Sequence, residues 1–280
     1  MHESSKPLAA DRVVLVTGGG SGIGRAIALR CAADGARVAV LGRRQEPLDE
    51  TVQLARERGG RARAFTADVR DPDAVAAAVT GIVDWAGQLD AVVNNAAGNF
   101  VCAAEDLSPG GWRAVVDIVL NGTFNVVHAA APYLLGQGRG VILNVIASYA
   151  WHGHPGTVHS AAAKAGVLAM TRTLAVEWGA RGVRVNCIAP GPTETAGAGS
   201  ALWATPEARA QVLASVPAGR FATAEEIADS AAFLLDERAA YITGEVLTVD
   251  GGQWLGKQVY GQPADTAAVL MSAGTQGGKP

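Results

Sequence analysis

The sequence predicts a single α/β domain, a doubly wound parallel sheet of about seven strands with helices on both faces. Three observations predict it. Short apolar runs alternate with helical stretches of crossover length from Asp11 to Val249, the pattern of a parallel sheet covered on both sides. A glycine-rich turn, TGGGSGIG (Thr17–Gly24), separates the first apolar run from the first helix. No internal repeat or linker composition divides the 280 residues, and 49% of them are apolar, enough for one sizeable core. Residues 11–256 are expected to form the domain, with 1–10 a flexible N-terminus and 257–280 a loose C-terminal tail.

The elements follow in order. Asp11–Val16 is a buried strand, and an amphipathic helix runs from the glycine turn to about Asp34. Arg37–Leu41 is a strand, Gln45–Arg58 a helix, Ala62–Thr66 a strand and Pro72–Trp85 a helix. Leu89–Val93 is the fourth strand and ends in NNAAGNF. Gly110–Leu135 reads as one long helix with Asn121 inside it. Val141–Ile146 is the fifth strand; a loop carrying Tyr149 leads to a helix over Val158–Trp178. Val183–Ile188 is the sixth strand and ends at Pro190-Gly191-Pro192. Helices over Pro206–Ala214 and Ala224–Leu235 and a strand over Glu245–Val249 complete the chain.

Composition excludes several function classes. A net charge of −3 with no Lys/Arg block argues against nucleic acid or an anionic membrane as the main partner. The three cysteines, Cys31, Cys102 and Cys187, are isolated, which fits a reduced cytoplasmic interior. No apolar run approaches the roughly 20 residues that span a bilayer. His152, His154 and His159 lie close together, but no further His or Cys stands at ligand spacing, so no metal site is expected.

In such a sheet, ligands lie beyond the carboxyl ends of the strands. Gly18, Gly20, Ser21, Gly22, Ile23 and Gly24 let the backbone approach a pyrophosphate at a helix N-terminus. After strand two stand Arg43 and Arg44, where an acidic residue would bond the ribose 2′-hydroxyl of NAD. Arginine instead accommodates the 2′-phosphate of NADP. Asp68 and Val69 suit an adenine contact, although Asp68 equally suits a helix N-cap. Ser160 and Lys164, four residues apart, share one helix face.

Thr17–Gly24, Asn94–Gly98 (NNAAG), Lys164 and Pro190-Gly191 together resemble the short-chain dehydrogenase/reductase family over nearly the whole chain, from about Val13 to Trp254. The resemblance implies a Rossmann-type fold, a nicotinamide cofactor and a homotetramer. It adds Asn95, Ala96, Ala97, Gly98, Lys164, Pro190, Gly191, Pro192 and Thr193 to the expected cofactor residues. The usual YxxxK tyrosine is absent, because its position is Ser160; the usual catalytic serine position is Ala147, beside Ser148.

NNAAGNF, the LSP of Leu107–Pro109 near Trp112, DIVLNGT (Asp117–Thr123), the upstream Tyr149, the SxxxK of Ser160 and Lys164, and LAVEWG (Leu174–Gly179) resemble the mitochondrial type of 2,4-dienoyl-CoA reductase. Val158-His159 is similar to the peroxisomal type. The implied reaction delivers hydride from NADPH to a dienoyl-CoA thioester and yields a 3-enoyl thioester, in unsaturated fatty acid β-oxidation. The resemblance makes Tyr149, Asn99, Lys164, Ser160 and Asn121 the catalytic candidates, with Asn121 holding a water near the lysine. Arg70, Asn99, Phe100, Ser108 and Tyr149 are the substrate candidates. Ser200, Ala201 and Leu202 stand where the family has a basic residue for CoA. A carbonyl or 3-oxoacyl reductase and a non-catalytic NADP-binding member stay open as alternatives.

Overall fold

Strands β1 (Val13–Thr17), β2 (Arg37–Gly42), β3 (Arg61–Thr66), β4 (Ala91–Asn94), β5 (Gly140–Val145), β6 (Val183–Pro190) and β7 (Val246–Val249) form one sheet in the order β3-β2-β1-β4-β5-β6-β7. Every neighbouring pair is parallel. This computed structural model describes residues 11–195 and 205–255. The two end segments and Ser200–Leu202 lie outside the described residues.

Strand β1 is apolar at its first four positions and buried throughout, because helices cover both faces of the sheet. Val14 and Val16 face a layer made by α1 (Gly22–Ala33), α2 (Gln45–Glu57) and α9 (Ala224–Leu235), with Ile27, Leu48 and Ile227 at its centre. Val13 and Leu15 face the other layer, built by α3 (Pro72–Ala86), α5 (Gly122–Gly136) and the C-terminal part of α7 (Val158–Trp178). The alternation follows from the two-residue period of a strand. Truncating the fully buried Ile142 or Leu143 to alanine would cost roughly 2–5 kcal/mol.

Local chemistry sets the helix ends. Asp71 caps α3 by accepting from the backbone N–H groups of Asp73 and Ala74, with Pro72 at the first helical position. Such a cap contributes about 1 kcal/mol. Asp68 is therefore free of the capping role its position equally suited. Thr223 and Glu226 form a reciprocal capping box at the start of α9.

The expected long helix is three pieces: α4 (Pro109–Val116), a π turn over Asp117–Asn121, and α5. Together Pro109–Gly136 makes a 28-residue helix that is long and apolar enough, by length and composition, to cross a membrane. It is not an unbroken apolar run, since Arg113, Asp117, Asn121, Asn125 and His128 interrupt it. In this fold its Val126, Val127, Ala130 and Leu134 pack on the sheet. The expected loop after β5 contains a single helical turn, α6 (Tyr149–His152), closed by Gly153 at φ 71°. One turn is too short to show a period in sequence. Helix α8 (Pro206–Ala214) lies where expected.

Strands β2 and β3 lie on one side of β1, and β4 to β7 on the other. The crevice at this switch point opens at the carboxyl ends of the strands.

Candidate active site

At the switch point a cleft of about 290 Å³ is lined by Gly18, Gly20, Ser21 and Ile23, by Arg43 and Arg44, by Asp68 and Val69, and by Asn95, Ala96 and Ala97. Thr195 also lines it, beside Gly22. Gly22 and Gly24 shape the loop and the helix start. Gly98, Lys164, Pro190, Gly191, Pro192 and Thr193 lie outside this lining. Gly18 has φ 63° and its N–H donates to Leu41 O at 2.7 Å. A Cβ at Gly24 would come within 2.4 Å of Gly18 O, so the loop closes on helix α1 only with glycine there. Ser21 makes no side-chain cap, and the first turn of α1 carries no acid. The helix N-terminus thus keeps its N–H groups and its positive end for an anion.

Residues the sequence reading missed brace this loop. Thr17 Oγ1 accepts from the N–H of Asn95 and of Ala96, both at 3.0 Å, and Asn95 Nδ2 donates to Thr17 O at 3.0 Å. Thr51 Oγ1 donates to Gly19 O at 2.9 Å, and Arg25 donates to Gly20 O at 2.6 Å. A hydroxyl at Thr51, on the buried stripe of an otherwise amphipathic helix, is the signal that could have found it. Arg43 and Arg44 are exposed at the rim. Asp68 is gripped by Arg70 at 2.6 Å, a bond that, with Arg43 nearby, holds its carboxyl below the usual range. Arg70 is thus committed to Asp68 at the cofactor end of the cleft.

The second part of the site is made by side chains from three elements. Tyr149, in the turn α6, places its hydroxyl 3.0 Å from Ser160 Oγ on α7. Asn99, in the loop after β4, donates from Nδ2 to the same hydroxyl at 3.4 Å. Asn99 Oδ1 in turn accepts from Phe100 N at 2.9 Å. Burial raises the Tyr149 pKa above the ordinary phenol value, and the bond to Ser160 only partly opposes this. The phenol is therefore a protonated donor at neutral pH. Ser160, which shares a helix face with Lys164, bonds Tyr149.

Lys164 is buried, and its ammonium donates to Val145 O at 2.5 Å. Burial pulls its pKa down to about 8, with the Cys187 thiol opposing. Beneath it runs a buried polar chain. Asn94 Nδ2 donates to Asn144 Oδ1 at 2.9 Å, Asn144 Nδ2 donates to Thr171 Oγ1 at 2.8 Å, and Thr171 Oγ1 lies 3.2 Å from Cys187 Sγ.

One catalytic candidate is corrected. Asn121 is exposed, and its amide donates to Asp117 Oδ1 at 2.8 Å rather than facing the lysine. The π turn rotates the helix here, so Val119 is the residue packed with Ile146, Ala163 and Val167. Ser108 is the N-cap of α4, its hydroxyl oxygen accepting from Gly111 N at 3.0 Å, which leaves the O–H free to donate. Phe100 packs its ring on His159, with centroids 4.4 Å apart. His152 bonds Ser148 Oγ at 3.1 Å, and no group of His, Cys, Asp or Glu among the described residues could hold a metal ion.

Residues 18–253 match the family model described as enoyl-(acyl carrier protein) reductase. A Bacillus subtilis protein named probable 2,4-dienoyl-CoA reductase, (2E)-enoyl-CoA-producing, is 51% identical over 246 residues, covering 87% of this chain and 97% of that one. The chain belongs to the short-chain dehydrogenase/reductase family. An Arabidopsis thaliana protein named peroxisomal 2,4-dienoyl-CoA reductase, (3E)-enoyl-CoA-producing, is 40% identical over 267 residues, covering 92% and 89% of the two chains. A crystal structure of a short chain dehydrogenase from Bacillus anthracis matches with a TM-score of 0.81 and 46% identity, over 89% of this chain and 98% of that one. A structure from Beutenbergia cavernae named as an NAD(P) dependent gluconate 5-dehydrogenase, with bound NADP at low occupancy, matches with a TM-score of 0.84 and 37% identity, over 89% and 99%. The family, the loop geometry and such neighbours make the cleft the seat of a nicotinamide cofactor.

Proposed function

We propose that this chain reduces 2,4-dienoyl thioesters with NADPH. One observation carries the reading. The only tyrosine beside the lysine-bearing helix face is held by Ser160 and Asn99, is raised in pKa, and has no bond to Lys164 among the described residues. A carbonyl reductase needs a phenol lowered in pKa to move a proton at the carbonyl oxygen. A dienoyl reductase needs neutral donors where negative charge collects, and Tyr149 with Asn99 supplies two.

The residues of the cleft suit NADPH: the α1 N-terminus would hold the pyrophosphate, and Arg43 and Arg44 would hold the 2′-phosphate. When bound there, the cofactor supplies the hydride. The chain's own residues do the rest. Tyr149 and Asn99 hold the thioester oxygen as charge spreads back along the diene. Lys164 adds positive charge beside them, and Ser160 orients Tyr149. Protonation of the chain carbon next to the thioester gives the 3-enoyl product; protonation two carbons further gives the 2-enoyl product for which the Bacillus subtilis relative is named.

This reading also takes CoA as the carrier, fatty acid β-oxidation as the setting and the cytoplasm as the location. A homotetramer is part of it: exposed Trp112, Phe124 and Val176 supply apolar surface for a neighbouring copy. The test is NADPH oxidation with 2,4-hexadienoyl-CoA beside a 3-oxoacyl-CoA, with the product double bond located by NMR. Preference for the 3-oxoacyl substrate would overturn the reading.

A further inference from the structure

His159 is fully buried, and neither of its ring nitrogens has a hydrogen-bond partner. Two other side chains among the described residues leave a buried polar atom unpaired, Arg37 and Asn94, and each bonds through its remaining atoms. His159 alone among them has every polar atom idle. A native structure keeps such a group against its stability, so it calls for a use. Burial holds the imidazole pKa below the ordinary histidine value; the Phe100 backbone opposes this without reaching either nitrogen in hydrogen-bond geometry. The ring is therefore neutral at pH 7, one nitrogen an N–H donor and the other an acceptor.

Its surroundings place it at the substrate end. His159 precedes Ser160, whose hydroxyl bonds Tyr149. The ring lies under Phe100, whose N–H is tied to Asn99. Contacts therefore run in a closed circuit: Phe100 to Asn99, Asn99 to Tyr149, Tyr149 to Ser160, and His159 back to Phe100. A phenylalanine at 159 would fill the same space with no idle nitrogen. A polar group arriving with a ligand would give the imidazole a use.

We propose that His159 is a third substrate-binding donor, its N–H taking the thioester carbonyl oxygen once the Phe100 ring shifts off it. This rests on the acyl-thioester reading of the site. In 15N spectra of the NADP+ complex, hexanoyl-CoA should move one His159 ring-nitrogen signal, assigned by its loss in His159→Phe. Coenzyme A alone should not move it. His159→Phe should raise KM for 2,4-hexadienoyl-CoA about tenfold, the scale of one neutral hydrogen bond. Its kcat should fall as well, since the oxygen it holds is the one on which charge develops, while its NADPH affinity should stay within about twofold and its Tm should equal or exceed that of the wild type. If His159→Phe does not fold, His159→Gln, which keeps a donor, should hold KM near the wild-type value, and the spectra of the wild type decide alone. Turnover with an unmoved 15N signal, a signal moved by coenzyme A alone, or an unchanged KM in His159→Phe would overturn the inference and leave the reaction standing. A shift without any turnover of dienoyl thioesters would keep the inference and overturn the reaction.

Discussion

The two halves of the site are built differently. The cofactor end is mostly backbone: a glycine loop, a helix N-terminus and the ends of adjacent strands, with Arg43 and Arg44 added at the rim. The substrate end is almost all side chain. Tyr149, Asn99, Ser160 and Lys164 come from α6, the β4 loop and α7, and they meet only because parallel crossovers bring those elements to one edge. The first kind of site tolerates change in side chains and fails on change in backbone. The second kind does the reverse, because each donor is a single group with few neighbours to replace it.

The sharpest way to break that contrast is Tyr149→Phe, which keeps the ring and removes only the hydroxyl. Turnover should fall roughly a hundred- to a thousand-fold, about 2.7–4 kcal/mol, the usual cost of one donor to a developing oxyanion. NADPH affinity, read by fluorescence, should hold. Asn99→Ala should act in the same direction, and the double variant should lose less than the sum, since both meet at one oxygen. Near-normal turnover of Tyr149→Phe on a dienoyl thioester would show that the substrate end works some other way.

Arg43→Asp tests the rim. Losing one charge-assisted contact costs about 1.5–3 kcal/mol, so NADPH should weaken by roughly ten- to a hundred-fold while NADH changes little. Equal losses with both cofactors would remove the 2′-phosphate argument.

Lys164 sharpens the comparison through pH. Its native pKa of about 8 lies below the free-lysine value of 10.5, because burial disfavours the ammonium. Between those values the unfolded chain binds more protons, so stability rises with pH through that window and the penalty is full below about pH 8. Urea melts of wild type against Lys164→Met should show that rise in the wild type alone. The kcat/KM for NADPH should fall above about pH 8 as the ammonium is lost; a flat profile to pH 9.5 would deny the lysine its charge role.

Ser160→Ala should have the smallest effect. Its bond orients Tyr149 rather than touching substrate, and a neutral hydrogen bond contributes about 0.5–1.5 kcal/mol. Turnover should drop by about tenfold or less, with the optimum pH unmoved.

Sequence alone determined the seven strands, most helix limits, the glycine loop and the arginines after β2. These are local matters: periodicity, turn chemistry and spacing act within a few residues. Only the tertiary structure decided which groups the side chains bond. Asn99 and Tyr149 are 50 residues apart, Tyr149 and Ser160 are 11 apart, and nothing local says their atoms meet. It also decided against Asn121, since a π turn changes which face a residue takes without changing the residues themselves. The capping role of Ser108 is of the same kind: its oxygen accepts from Gly111 N, a partner set by the turn into α4. The Asp68–Arg70 pair, the braces at Thr17 and Thr51, and the idle nitrogens of His159 belong to the same class, because burial and partner geometry arise only when distant elements pack.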